Sequence, residues 1–154
     1  QELSNSFPGM LQLFFLLLFL AVFVFFCLNL QRAFEAVSPH NRKMPASNVW
    51  LLFIPLFNFY WQFVVINRLS ESLGLEYDRL NLQKPELYPT RSVGIAAAII
   101  YFITFIPFIK GLAAIAWLIC FIVYWVKVYR SRKLILANAD NFMLDAEREL
   151  QNNN

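Results

Sequence analysis

Pro55, Asn58 and Gln62 interrupt an otherwise apolar run, and their spacing of i, i+3, i+7 puts them along one face of a helix. A proline inside a helix frees the carbonyl four residues earlier, here that of Leu51, which then needs another donor. Asn58 and Gln62 are close enough in register to bond each other or to reach Tyr101 and Thr104 of a neighbouring segment. Two functions suit such a stripe. It can be interhelical glue, worth about 0.6–2 kcal/mol per hydrogen bond, or the polar lining of a path for a small substrate or ion. No Asp, Glu, Lys, Arg or His joins the stripe within the apolar run. Proton-coupled transport relies on such ionisable groups, so glue is the favoured expectation.

The remaining reactive side chains form no usable constellation. Ser38 and His40 are neighbours only in sequence, in a proline-bounded loop, and a catalytic triad needs a third group and fixed geometry. Glu71, Glu76 and Asp78 share a segment with Arg68 and Arg79, which reads as a solvated helix end rather than a metal site. With one histidine and two cysteines, Cys27 and Cys120, both inside apolar stretches, the chain alone cannot complete a haem, iron–sulfur or structural zinc site. The cysteines are expected to pack as small apolar residues. Four glycines form no phosphate-cradling loop. No catalytic, cofactor-binding or metal residues are therefore expected, and no enzymatic activity.

The elements that must position the stripe are four apolar stretches, residues 10–30, 49–66, 93–109 and 112–129, about half of the 154-residue chain. Each approaches the roughly 17–25 residues that a helix needs to cross a bilayer core of about 30 Å. The composition agrees: 59% of residues are hydrophobic and 15% charged, against about 25% charged in an ordinary soluble domain. The expected fold is all-α and integral to the membrane: one unit over 1–154, with four transmembrane helices and an amphipathic cytoplasmic helix over 131–150. The first stretch lacks the basic start and cleavage site of a signal peptide and reads as a retained span. It is apolar on all sides, as suits a peripheral helix facing lipid or a partner.

The second helix is expected to continue past the membrane to Leu73 and to end at Gly74, with Arg68 and Glu71 paired on its exposed side. Segments three and four, joined at Lys110-Gly111, form a helical hairpin in which Gly94 and Ala98 permit close backbone approach. In the tail, Leu136, Ala139, Met143, Ala146 and Leu150 make an apolar row on a polar helix, suited to a partner or the membrane surface.

Four spans put the N-terminus, the 67–92 connection and the tail on one face. That face would carry Arg68, Arg79, Lys84, Arg91, Lys127, Arg130, Arg132, Lys133 and Arg148, against Arg32, Arg42, Lys43 and Lys110 on the other. The basic excess predicts that both termini are cytoplasmic. A net charge of +3 without a basic, aromatic-interleaved patch excludes a nucleic-acid partner.

The segment around the second stretch also resembles a small bacterial multipass inner-membrane family. The matching positions are Arg42, Pro45, Trp50, Ile54, Pro55, Phe57, Asn58, Trp61, Arg68, Leu69 and Ser72, about a third of the chain, while Ala46-Ser47 replaces an expected glycine-containing turn. The resemblance implies a bacterial cytoplasmic-membrane protein and carries no activity with it. The expected function is a non-catalytic accessory or scaffold subunit, with the lipid bilayer and other membrane-protein subunits as partners. The competing expectation is a small oligomeric transporter or channel lined by the second helix.

Overall fold

The computed structural model describes residues 2–152 apart from residue 85; for residues 2–8, 145, 146, 149 and 152 it describes the helical backbone only. Four α-helices follow in order, α1 (Glu2–Ala36), α2 (Phe57–Arg79), α3 (Arg91–Ile103) and α4 (Lys110–Asn152), with a 3₁₀ helix, Ala46–Phe53, between the first two. There is no strand among the described residues. Among the described residues two helical stretches, Gly9–Ala36 and Lys110–Leu144, are long and apolar enough to cross a membrane, not four. The third expected span is a helix of 13 residues that gives way at Thr104 to a series of turns, three residues before Pro107. The expected tail helix over 131–150 is no separate element, because α4 runs through it without a break.

The second expected span, 49–66, is not one helix. Proline disfavours helical backbone in the residue before it, and Ile54 is extended at φ −79°, ψ 113°. Leu56 then takes φ 63°, a left-handed conformation costly for a side chain with a Cβ. The Leu51 carbonyl, expected to need another donor, accepts from the Ile54 N–H at 3.1 Å through the tighter 3₁₀ turn. Beyond the turn, α2 comes back along the path of the incoming arm. The Trp61 indole N–H donates to the Asn48 carbonyl at 2.8 Å, and the Lys43 N–H to Ser72 Oγ at 2.9 Å. Residues 43–79 are thus a hairpin that enters the bundle and leaves by the same end.

Gly74 does not stop α2. It is buried inside the helix, where a Cβ would lie 3.4 Å from the Leu87 carbonyl oxygen, so it admits the following loop instead. The Arg68–Glu71 pair forms as expected, at 3.3 Å.

α3 and α4 make the other hairpin. Gly94 is its tight point: a Cβ there would meet Ile66 Cγ2 and Tyr124 Cε2, each at 2.8 Å, so α2, α3 and α4 converge on this one residue. Helix α4 runs parallel to α1. Phe26 packs on Phe121 at 4.6 Å between centroids, and the Asn29 amide donates to the Trp125 carbonyl at 3.3 Å. Further along, the C-terminal end of α2 meets both helices, through Ser38 after α1 and Phe142 in α4. The buried core lies toward that end, with Cys27, Leu30 and Phe34 of α1 against Leu69 and Leu73 of α2 and Val128 and Ile135 of α4. The opposite half of α1 is exposed from Met10 through Leu20, as an all-round apolar helix predicts.

Gly94→Val adds a clashing Cβ and two further methyl groups at the convergence point. It should cost about 1–3 kcal/mol through overpacking and lower the thermal midpoint in detergent by several degrees. Gly111→Ala, where no atom of the described residues lies within 4 Å of the added Cβ, should leave the midpoint unchanged or slightly raised. Equal midpoints for the two variants would contradict the packing described.

Candidate functional site

A cavity of about 530 Å³ opens between the helices, and Asn58 and Gln62 line it together with Tyr101 and Thr104. Pro55 does not join them. It sits exposed at the hairpin tip, because the break it causes takes it off the face it would have shared in a continuous helix. The polar stripe is therefore two residues long and faces a space inside one chain. Among the described residues Asn58 and Gln62 do not bond each other. Gln62 Nε2 reaches back to the Phe59 carbonyl at 3.4 Å, and Thr104 Oγ1 donates to the Tyr101 carbonyl at 2.6 Å.

The rest of the wall is aromatic and aliphatic. Trp117 stacks on Phe121 at 5.2 Å and approaches Tyr101 at 6.0 Å, while Gly94, Ala97 and Ala98 leave the room on the α3 side. Tyr124 closes one end. It is 3% exposed, and its hydroxyl has no hydrogen-bond partner among the described residues. Trp117 is half-buried in the cavity wall, whereas Tyr124 is buried.

A second assembly was not legible as a site in the sequence. Glu76, expected on a solvated helix end, has a side chain only 1% exposed. Its Oε2 accepts from Ser38 Oγ at 2.7 Å and Asn41 Nδ2 at 2.8 Å, and its Oε1 from Arg79 Nη2 at 2.6 Å and Nε at 3.0 Å. Burial by itself pushes this carboxyl up, but the hydrogen bonds from Arg79, Asn41 and Ser38 outweigh it and hold the group below the usual carboxylate range. The signal was present: Glu76 lies on the row Leu69, Leu73, Tyr77 and Leu80, the buried face of α2. Ser38 is thus committed to Glu76, while His40 is exposed. Glu71 and Asp78 form separate surface pairs, with Arg68 and with Lys84.

Two further polar ties belong to the same end. The Arg42 guanidinium donates to the Glu35 and Val37 carbonyls at 3.2 and 3.1 Å, satisfying the end of α1. Lys127, the cation at the end of the fourth apolar stretch, is met by Glu86 at 2.9 Å; Ser92 bonds the same carboxylate, and these contacts hold its pKa down.

On the α4 extension, Leu136, Met143 and Leu150 are exposed and Ala139 is partly buried. The side chain of Ala146 lies outside the described residues. The inward face of this part of the helix is a different row, Val128, Ser131 and Ile135. The expected apolar row therefore faces outward. No family model, curated protein or solved structure matches this chain.

Glu76 generates a pH prediction. A carboxylate with a lowered folded pKa stabilises above its unfolded pKa of about 4.3, and loses that contribution as pH falls through the folded value. Wild type should be more stable than Glu76→Gln at pH 7, by about 1–3 kcal/mol for the hydrogen bonds left unmatched. The difference should narrow on acidification below about pH 4. Thermal midpoints of both proteins across this range check it; a gap that is constant with pH would be inconsistent with an ionised Glu76.

Proposed function

We propose that this protein is a non-catalytic accessory or scaffold subunit of a bacterial cytoplasmic-membrane complex. The observation that carries the reading is the outward apolar row on α4. At 1.5 Å per residue, 43 helical residues span about 64 Å, twice a bilayer core of about 30 Å. Ile135 is fully buried against the bundle, which fixes the direction of the extension. With the bundle in the bilayer and α4 leaving it along its own axis, Met143, Leu144 and Leu150 extend into water, where lipid does not cover them. Exposed apolar rows of this kind mark protein interaction sites. The bare half of α1, Met10 through Leu20, gives a second surface for lipid or a neighbouring subunit.

The charge distribution supports an orientation. Of the 13 Lys and Arg, all among the described residues, Lys110 alone stands at the end where α1 begins; the others gather where α4 emerges. On the positive-inside rule the α4 end is cytoplasmic. Because α1 and α4 run parallel, the beginning of α1 then faces the other side, in place of the shared face that four spans required. The competing reading, an oligomeric transporter lined by α2, is less supported, since Asn58 and Gln62 line a cavity bounded by helices of their own chain.

Two measurements test these readings. In wild-type membranes extracted with mild detergent, the protein should migrate on native gels as a larger assembly. Leu136→Glu, Met143→Glu and Leu150→Glu together should shift it to a smaller species while leaving it in the membrane. A lone monomer in the wild type, or no shift in the variant, counts against a scaffold role. For the orientation, a cysteine at Lys110 should react with an impermeant maleimide applied outside the cell, and one at Gln151 only after lysis; the reverse pattern would overturn the assignment.

A further inference from the structure

We infer that the interhelical cavity is a binding site for a neutral lipid, an extended hydrocarbon carrying an uncharged, hydrogen-bond-accepting oxygen. The volume, about 530 Å³, is that of an ordinary small-molecule site. Its lining runs along α1 from Phe19 to Leu30, about 17 Å at 1.5 Å per residue. The site is therefore long enough for a chain and not only for a ring. Among the described residues no Asp, Glu, Lys, Arg or His lines it. A charged headgroup inside would lack any counter-charge, so the occupying portion is neutral.

The polar groups sit toward its two ends. Asn58, Gln62 and Thr104 lie near the tip of the α3–α4 hairpin, and Tyr124 lies at the level of Gly94. The Tyr124 hydroxyl is a buried donor with no partner among the described residues. That hydroxyl is closed off from the cavity, but the Asn58 carboxamide lines it with no hydrogen bond among the described residues; leaving such a donor unmatched is unfavourable, and an acceptor oxygen on the occupant supplies what the protein does not. The route in is lateral. Phe19, Ala114 and Leu118 line the cavity and are exposed, which opens it between α1 and α4 on the side where a bilayer would lie.

This inference is independent of the scaffold role, and its test uses the full chain reconstituted in nanodiscs. The probe is a methyl palmitate bearing a mid-chain diazirine, photolysed and mapped by mass spectrometry. The expected result is saturable labelling of Phe23, Ala97 or Leu118, competed by unlabelled methyl palmitate or by a short-chain isoprenoid quinone; which competes better identifies the source of the oxygen. Competition by neither overturns the site. Ala114→Trp, or the milder Ala114→Leu, should reduce labelling tenfold or more at an unchanged melting temperature. Asn58→Leu should weaken apparent affinity about fivefold, the net value of one hydrogen bond. Labelling confined to Phe14 and Phe15 on the bare half of α1, or unaffected by both Ala114 variants, would overturn the proposal. So would a hydrocarbon diazirine without oxygen that binds as tightly as the ester, or palmitate ion competing as well as its ester.

Discussion

The backbone donor that Pro55 lacks governs the course of this chain. In an apolar setting every peptide group needs an internal partner, and a helix carried through residue 55 would leave the Leu51 carbonyl without one. The tighter 3₁₀ winding before the proline recovers that carbonyl through Ile54, and the left-handed Leu56 reverses the chain. One continuous helix is thereby replaced by a hairpin that returns to the end it came from. The rest of the topology follows: α1 and α2 finish at the same end, α3 starts there, and the α3–α4 hairpin comes back to it.

A reversal needs fastening, and the fastening is polar. Ser38 and Asn41 come from the segment after α1, and Arg79 from the end of α2; all three donate to one buried carboxylate. Removing a carboxylate from water is unfavourable unless its oxygens are matched. Here donors meet both oxygens, and the lowered pKa reflects that balance. An apolar residue at 76 could fill the volume, but it would not specify which segment closes against α2. With Arg42 over the end of α1 and Glu86 on Lys127, the polar ties of the molecule concentrate at one end. The other end is apolar and loosely packed.

The cavity follows from this uneven packing. The helices meet tightly at Gly94 and around Phe26, then diverge toward Phe19 and Ala114. Protein interiors ordinarily leave few voids of this size, and small residues on α3 keep this one open. Asn58 and Gln62 are directed into it by the register of α2, which is itself set by the turn at Pro55. The same residue thus decides the topology and which polar groups line the space.

Much was legible from residue types alone. The helical class, the bare apolar first helix, the close approach at Gly94, the Arg68–Glu71 pair and the grouping of Asn58, Gln62, Tyr101 and Thr104 all follow from periodicity and side-chain size, which are local properties. The course of residues 49–66 was not legible, because hydropathy there is the same for one continuous helix and for a hairpin; only the partners of Trp61, Lys43 and Ser38 distinguish them. Gly74 departs from its expected role for a similar reason. A glycine near a helix end favours a stop, but here the close Leu87 carbonyl makes it an interior contact. Glu76 looked like surface because charge predicts solvent, until three donors from separate segments converged on it. Residue type and periodicity set the all-helical class and the apolar character of the helix faces. Tertiary structure alone decided which way the chain returns, which charge is buried and where space is left, because each depends on contacts between residues remote in sequence.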